Sequence, residues 1–157
     1  MNVVLYEPEI PWNAGNVGRT CVAAGATLHL IGPLGFKLGA REIRRSGLDY
    51  WPKLRLVLHE DFAAFEASLP ETASLLVFST KGGRSFWDAP YRRDGYLLFG
   101  RESGGLPAWL MRRYGDRVYR IPIGGDVRSL NLSTAAGIVL YEALRQSGFP
   151  AAVPPRA

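Results

Sequence analysis

Cysteine and histidine are scarce in this chain of 157 residues, which contains one cysteine, Cys21, and two histidines, His29 and His59. A lone cysteine cannot pair within the chain. Because Cys21 lies in the apolar run CVAAG, we interpret it as a small buried thiol in a reducing compartment. With so few sulfur and imidazole ligands, a zinc site would have to consist mostly of carboxylates. We therefore predict that the protein holds no metal.

Long apolar runs are also missing. No run approaches the roughly 18 residues that a membrane-spanning helix needs, and the N-terminus lacks the charged start and apolar middle of a signal peptide. We therefore expect a soluble, cytoplasmic protein with no membrane partner. The length is sufficient for one self-supporting core, so we predict a single domain over residues 1–150. The remaining residues, AAVPPRA at 151–157, are expected to form a flexible tail.

Lysine is the scarce cation, since sixteen of the nineteen basic residues are arginines and the net charge is +5. Much of this charge lies in four clusters, and each cluster alone is typical of a solvated face. Together they favour an anionic partner, and nucleic acid in particular. The clusters are REIRR at 41–45, KGGR at 81–84, YRR at 91–93 and RRYGDRVYR at 112–120.

Short apolar runs alternate with segments of helical pattern, and this alternation predicts an α/β fold with a mostly parallel sheet and helices on both faces. We expect helices at 14–24, 61–69, 107–114 and 130–146. Asp61 is a plausible N-cap of the second helix, and Pro107 suits the first turn of the third. The strands are expected at 2–6, 27–32, 54–59, 74–79, 96–100 and 117–123.

Ligands of parallel α/β sheets bind beyond the carboxyl ends of the strands, where the loops of this chain are rich in Gly, Asn and Ser. Neither common phosphate motif is present: NAGNVGRT has Asn13 and Arg19 where a P-loop needs glycine and lysine, and no G-x-G-x-x-G follows the first strand. Three later loops offer backbone groups and small side chains. This composition suits an adenosine with a zwitterionic amino-acid tail, as in S-adenosylmethionine.

Three segments carry a resemblance to a known family: NAGNVGRT at 13–20, FGRESGGLP at 99–107 and IPIGGDVRSLNLSTAAGIVLYE at 121–142. In this order they resemble the three motifs of the SpoU branch of the SPOUT methyltransferases, over nearly the whole chain. The opening VLYEPEIPWNAGN, the segment REIRRSGLDYW and the turn TKGG narrow the resemblance to the TrmL-like or YibK-like group of small tRNA ribose methyltransferases.

The resemblance implies a fold and a function. The fold is the SPOUT methyltransferase fold, in which the C-terminal part of the chain forms a deep trefoil knot. The protein is expected to be an obligate homodimer, which the last helix supports independently because it is apolar on more than one face. The implied activity is S-adenosylmethionine-dependent methylation of the ribose 2′-hydroxyl of the wobble nucleotide, position 34, a cytidine or modified uridine, in the anticodon stem-loop of tRNA. Two alternatives stay open: a SpoU-type enzyme for another tRNA or rRNA ribose, and a non-catalytic RNA-binding module.

Individual roles also follow from the resemblance. The expected catalytic residues are Arg19, Glu102 and Asn131. We expect Arg19 to stabilise charge on the 2′-oxygen at a cofactor bound by the other subunit, because a guanidinium is a poor proton acceptor. Cofactor contacts are expected from Phe78, Ser79, Thr80, Gly100, Glu102, Ile121, Ile123, Ser129 and Leu130. RNA contacts are expected from Asn13, Asn16, Arg19, Lys81, Arg84 and Tyr141.

Several of these residues also have a purely structural interpretation. Ser129 and Asn131 are common helix caps and would suit the start of the last helix. Asn13 and Asn16 would do the same for the first helix, and Arg19 would suit a surface ion pair.

Two further features of the sequence bear on the site. Gly124 and Gly125 are expected to let the backbone of the third motif bend. Three tryptophans, Trp12, Trp51 and Trp87, are suited to stacking on splayed single-stranded bases if they are exposed.

Overall fold

The computed structural model describes residues 1–38 and 50–148, so the basic cluster at 41–45 and the tail at 151–157 lie outside the described residues. Seven strands form one sheet. They are β1 (Asn2–Tyr6), β2 (Thr27–Ile31), β3 (Arg55–His59), β4 (Leu75–Phe78), β5 (Arg84–Ser85), β6 (Tyr96–Phe99) and β7 (Val118–Arg120).

The strand order is β3-β2-β1-β6-β4-β7-β5, and every neighbouring pair is parallel. The predicted parallel α/β sheet is therefore confirmed. The central strands β1, β4 and β6 read as continuous apolar runs because both of their faces are covered. The trefoil knot and the 1–150 domain boundary stay predictions.

Within residues 1–38 and 50–148, four α-helices lie on the two faces of the sheet. They are α1 (Pro11–Ala24), α2 (Phe62–Ala67), α3 (Ala108–Arg113) and α4 (Leu132–Gln146). Alternate residues of the central strands enter separate hydrophobic clusters, as the period of two requires. Val3 and Leu5 of β1 pack with α1 and α4 on one face, whereas Val4 and Tyr6 pack with α2 and α3 on the other.

The predicted elements match the observed ones in kind, and their ends differ. Asp61 does cap α2, since its side chain accepts a hydrogen bond from the Ala64 amide. The strand predicted at 117–123 ends at Arg120, and the next residues leave the sheet. β5 was not predicted, because two residues, each paired only to β7, are too few to show a pattern.

Cys21 is fully buried in the cluster beneath α1, as predicted. Burial raises the pKa of its thiol to about 12, so the thiol stays protonated and packs as a small apolar group. Within 1–38 and 50–148 no helix is long and apolar enough to cross a membrane.

Candidate active site

A cavity of about 570 Å³ lies beyond the carboxyl ends of β4, β6 and β7, where the start of α4 meets the loops that follow these strands. Its volume falls within the range of ligand pockets, roughly 300 to 1,000 Å³. This is the end of the sheet at which the sequence placed the site. All nine predicted cofactor contacts line the cavity: Phe78, Ser79, Thr80, Gly100, Glu102, Ile121, Ile123, Ser129 and Leu130.

The apolar side of the cavity rests on stacked aromatic rings. Phe78 is 6% exposed, and its ring stacks on Phe99 with centroids 5.3 Å apart and on Tyr91 at 6.3 Å. Tyr91 is fixed in turn, because its hydroxyl donates to the Phe86 carbonyl at 2.7 Å. A flat apolar group that enters the cavity therefore meets a surface that is already in place, which lowers the cost of binding.

The loop after β6 closes on itself at two glycines. A Cβ on Gly100 would overlap the backbone of Gly105, and Gly105 has a φ of +66°, a conformation that favours glycine. The backbone of this loop therefore lines the cavity directly. Gly124 and Gly125 differ, since neither has a left-handed φ and a Cβ on either would meet nothing within 4 Å. The chain does bend at 125–126, as expected, but in a conformation that does not require glycine at either position.

A chain of side-chain hydrogen bonds joins the three motifs at the mouth of the cavity. The Glu102 carboxylate accepts from the Glu9 amide at 2.8 Å, the Ile10 amide at 3.2 Å and Asn13 Nδ2 at 2.9 Å. Asn13 Oδ1 then accepts from Asn131 Nδ2 at 3.0 Å. We call Glu102, Asn13 and Asn131 the motif bridge. Because a charged acceptor with three donors is strongly held, Glu102 is a fixed part of the loop.

The motif bridge also determines where two helices begin. Asn131 is the N-cap of α4, and its Oδ1 accepts from the Ser133 amide at 2.9 Å and the Thr134 amide at 3.3 Å. The capping interpretation therefore holds for Asn131, which lines the cavity as well. The first helix begins at Pro11, so Asn13 and Asn16 lie inside it and neither is its cap. The carboxylate of Glu102 stands at its entry instead, on the favourable side of the helix dipole.

Two further acids fasten the same loops, and the sequence reasoning missed both. Glu9 accepts from the Ser103 amide at 2.8 Å and from its hydroxyl at 2.7 Å. Glu7 pairs with Arg101 at 3.0 Å, and it holds an uncommon φ of +46°. No signal in the sequence joins positions more than 90 apart, although the acidic run EPE beside the first motif is visible. The loop carrying Glu102 is therefore fastened to the chain before α1 by several independent bonds.

Arg19 does not line the cavity of its own chain. It is exposed two turns into α1, and its guanidinium carbon lies 5.0 Å from the centroid of the Tyr50 ring. The Tyr50 hydroxyl donates to the Gly15 carbonyl at 2.7 Å, which fixes this ring against α1. Over the parts of the chain that the structure describes, Arg19 forms no ion pair, so the surface-ion-pair interpretation finds no support there.

The predicted RNA contacts separate into two groups. Asn13 is 4% exposed and both ends of its amide are bonded, so it belongs to the framework of the site rather than to its surface. Lys81 lines the cavity, and Arg84 lies 5.3 Å from the centroid of the buried Tyr119 ring. Asn16, Arg19, Lys81, Arg84 and Tyr141 are exposed.

The titratable groups of the cavity are mostly cationic. Lys81, Arg101 and Arg128 line it, and Glu102 is the only acid among its described lining residues. The carboxylate of Glu102 already accepts three hydrogen bonds and is not available to remove a proton from a substrate. The described lining therefore suits binding and orientation of a ligand rather than base catalysis by a side chain. In the described ranges no three His, Cys, Asp or Glu side chains are arranged to hold a metal ion.

Comparison with known proteins agrees with this geometry. The model of the SpoU rRNA methylase family matches residues 1–141. A tRNA (cytidine(34)-2′-O)-methyltransferase from Burkholderia cenocepacia is 45% identical over 150 residues, which cover 94% of this chain and 96% of the relative.

Solved structures give the same result. A structure that provides insights into the 2-OH methylation of C/U34 on tRNA matches with a TM-score of 0.89 at 52% identity, over 92% of this chain and 94% of that one. The AdoMet-bound rRNA methyltransferase from Sinorhizobium meliloti matches with a TM-score of 0.81 at 30% identity. That match covers 92% of this chain and 56% of the other.

Proposed function

The chain belongs to the SpoU family of RNA methylases, and from this premise we propose that it methylates the ribose 2′-hydroxyl of nucleotide 34 in tRNA, with S-adenosylmethionine as the methyl donor. The nucleotide is a cytidine or a modified uridine. The observation that carries the proposal is the cavity itself, because residues from all three family motifs line it. A coincidental sequence resemblance would not place Asn13 within hydrogen-bonding distance of both Glu102 and Asn131.

The residues of the cavity fit this cofactor. Phe78, Ile121, Ile123 and Leu130 provide apolar surface for an adenine, and the backbone of the loops after β4 and β6 provides hydrogen-bonding groups. When bound, S-adenosylmethionine would supply an electrophilic methyl group: a nucleophile attacking in line would bond to the methyl carbon while the carbon–sulfur bond breaks and the thioether S-adenosylhomocysteine leaves. The fixed loop around Glu102 orients the ligand, and this orientation lowers the barrier by removing motion before the reaction.

Arg19 acts on the RNA in this proposal. Its guanidinium lies against Tyr50 outside its own cavity, which supports a role at the cavity of a partner subunit. There it binds a phosphate next to the target and stabilises negative charge as it develops on the 2′-oxygen. The proton leaves through phosphate or water.

The homodimer is part of the proposal, and the outer face of α4 supports it. Ile138 is 39% exposed and Tyr141 is 50% exposed, one turn apart on a helix whose opposite face is buried in the core. Apolar side chains that face outward at helical spacing are typical of a helix packed against a second subunit.

The anticodon stem-loop is the proposed site of action on tRNA. Single-stranded loops present bases and ribose hydroxyls that paired stems enclose, and the exposed Lys81, Arg84 and Arg19 suit the surrounding phosphates. A cytoplasmic location accompanies this substrate.

The test is methyl transfer to total tRNA from a strain that lacks the gene, with labelled S-adenosylmethionine. We expect one 2′-O-methyl group at nucleotide 34. A tRNA with 2′-deoxyribose at that position is the matched control and should accept none. Label at another ribose would replace the proposed target, label on the deoxy substrate would indicate base methylation, and tight RNA binding without label would indicate a non-catalytic binding module.

A further inference from the structure

One side of α1 is exposed along a narrow stripe, whereas most of the rest of the helix is buried. Four positions of the helix are exposed, Trp12, Asn16, Arg19 and Ala23, and the first three follow the spacing i, i+4, i+7, which places them on one face across two turns. Six other residues of the helix are buried, among them Asn13, between Trp12 and Asn16. We call Trp12, Asn16 and Arg19 the outer stripe of α1.

Trp12 differs from the rest of the outer stripe, because it is a large aromatic side chain that is 55% exposed. A single exposed apolar residue needs no explanation by itself. The position of Trp12 does need an explanation, because Ile10 and Asn13, which flank it in the sequence, both line the cavity. Trp12 therefore stands at the rim of the cavity of its own chain, on the same face of α1 as Arg19, so in the proposed homodimer this face borders both its own cavity and the cavity of the partner subunit.

The other two candidate tryptophans lie elsewhere. Trp51 is half-buried and packs on the inner side of α1, where a Cβ on Gly18 would lie 3.4 Å from its ring. Trp87 is 59% exposed, but its carbonyl accepts from Gln146 at the last turn of α4. Because α4 has 15 residues and its first turn lines the cavity, Trp87 is about 20 Å away along the helix.

The distance along the outer stripe suits a nucleotide strand. Trp12 and Arg19 are seven residues apart, or about 10 Å along the helix axis, which is within the reach of a dinucleotide. A guanidinium binds phosphate and an indole offers a face to any base, so the outer stripe provides the two contacts that proteins use for single-stranded RNA.

We propose that Trp12 is a stacking platform for a base next to the target nucleotide. The proposal rests on the proposed function, since that function is what brings a single-stranded loop to the cavity. Stacking holds the neighbouring base aside while the target ribose enters, and it accepts any base because it reads no hydrogen-bond pattern. Trp12 is thus a positioning residue, and it touches neither the cofactor nor the reacting oxygen.

The test combines two measurements. The first is the fluorescence of wild-type protein with a tRNA that carries 2-aminopurine next to nucleotide 34; stacking on an indole should quench the probe on binding. The second is steady-state methylation by Trp12→Ala, Trp12→Phe and, as the control, Trp109→Ala, an exposed tryptophan on α3 across the sheet. Wild-type methylation of the unlabelled tRNA tests the proposed function separately.

For Trp12→Ala we expect the KM for tRNA to rise about tenfold, with kcat and cofactor affinity nearly unchanged and with the quenching lost. Trp12→Phe should keep the KM for tRNA close to the wild-type value, and Trp109→Ala should leave it unchanged. An unchanged KM for Trp12→Ala, or quenching that survives the substitution, would overturn the proposal. So would a shift of Trp12→Ala towards a smaller species in sedimentation, because Trp12 would then be covered by a second copy of the chain. If Trp12→Ala does not fold, absence of quenching with wild-type protein overturns it.

Discussion

The two faces of the sheet are held by different kinds of interaction. On the α2 and α3 face, aromatic rings pack against one another: Phe65 is fully buried and lies edge-on to His29, His59 and Tyr96. On the α1 and α4 face, the core beneath the helices mixes aliphatic side chains with the rings of Phe78, Phe86, Phe99 and Tyr119, and hydrogen bonds between side chains fix the helix starts at the cavity.

This difference indicates that the two faces have separate roles, one in stability and the other in positioning the loops of the cavity. No ring of the aromatic face lines the cavity, although Leu106, which packs in the same cluster, does, so we expect these rings to contribute mainly to stability. The polar contacts of the other face are directional, and each one fixes the position of a loop that lines the cavity. Substitutions on the two faces should therefore separate stability from ligand binding.

The largest effect is expected for Phe65→Ala on the aromatic face. Removing a fully buried ring should lower the free energy of unfolding by about 3–5 kcal/mol, since the cavity left behind refills only in part. Urea denaturation measures this loss, and Trp109→Ala, whose ring is 42% exposed in the same cluster, should lose much less. Calorimetry on the folded fraction should find cofactor affinity unchanged; a matching loss of affinity would show that the faces are not independent.

Arg19→Ala tests the opposite face and should affect reaction rather than folding. We expect kcat to fall about 100- to 1,000-fold, or roughly 3–4 kcal/mol, because an electrostatic contact to the developing charge is lost. Arg112→Ala, an exposed arginine of α3, is the control. Single-turnover kinetics measure the rate of methyl transfer, and calorimetry measures the cofactor affinity, which should stay nearly unchanged. Loss of cofactor binding by a folded Arg19→Ala protein would contradict the role assigned here.

Asn13 and Asn16 offer a matched pair on one helix. Asn13→Ala breaks the motif bridge at its centre and leaves Glu102 and Asn131 each short of a partner, so stability should fall by about 1–3 kcal/mol and cofactor binding should weaken. Asn16→Ala removes an exposed amide and should change stability by less than about 0.5 kcal/mol while weakening tRNA binding. Equal effects of the two substitutions would exclude a specific role for the motif bridge.

The smallest effect at neutral pH concerns the histidine pair of the aromatic face. His29 Nδ1 and His59 Nε2 lie 3.0 Å apart, and burial lowers the pKa of His29 from 6.5 to about 4 and lowers that of His59. A lowered pKa means that the folded protein favours the neutral ring. The contribution of this neutral ring to stability is therefore fully present above pH 6.5 and is lost as the pH falls towards 4. His29→Gln should show a flatter stability profile across this window than wild type; parallel profiles would rule out the contribution of the pair.

Much of the site could be predicted from the sequence because each motif is local. The loops after β4, β6 and β7 carry small and polar residues directly behind apolar strands, and that order is enough to place these loops at one end of a parallel sheet. The individual contacts Phe78, Gly100 and Ile121 came from the family resemblance, and all three line the cavity. The burial of Asn13 could not be predicted, since its two partners lie 89 and 118 positions away. The start of α1 could not be predicted either, because the carboxylate that stands there in place of a local cap belongs to Glu102, in the loop after β6.

The sequence by itself determined the parallel α/β sheet, the three motif loops and the cofactor chemistry that they suit, because hydrophobic period and turn residues act over short stretches of chain. Only the tertiary structure decided which polar residues are framework and which are surface. It joined Glu102, Asn13 and Asn131 into one hydrogen-bonded chain, and it turned Trp12, Asn16 and Arg19 outward. The physical reason is that exposure and hydrogen-bond partners depend on contacts between distant segments, and these contacts exist only after the sheet and its helices have packed.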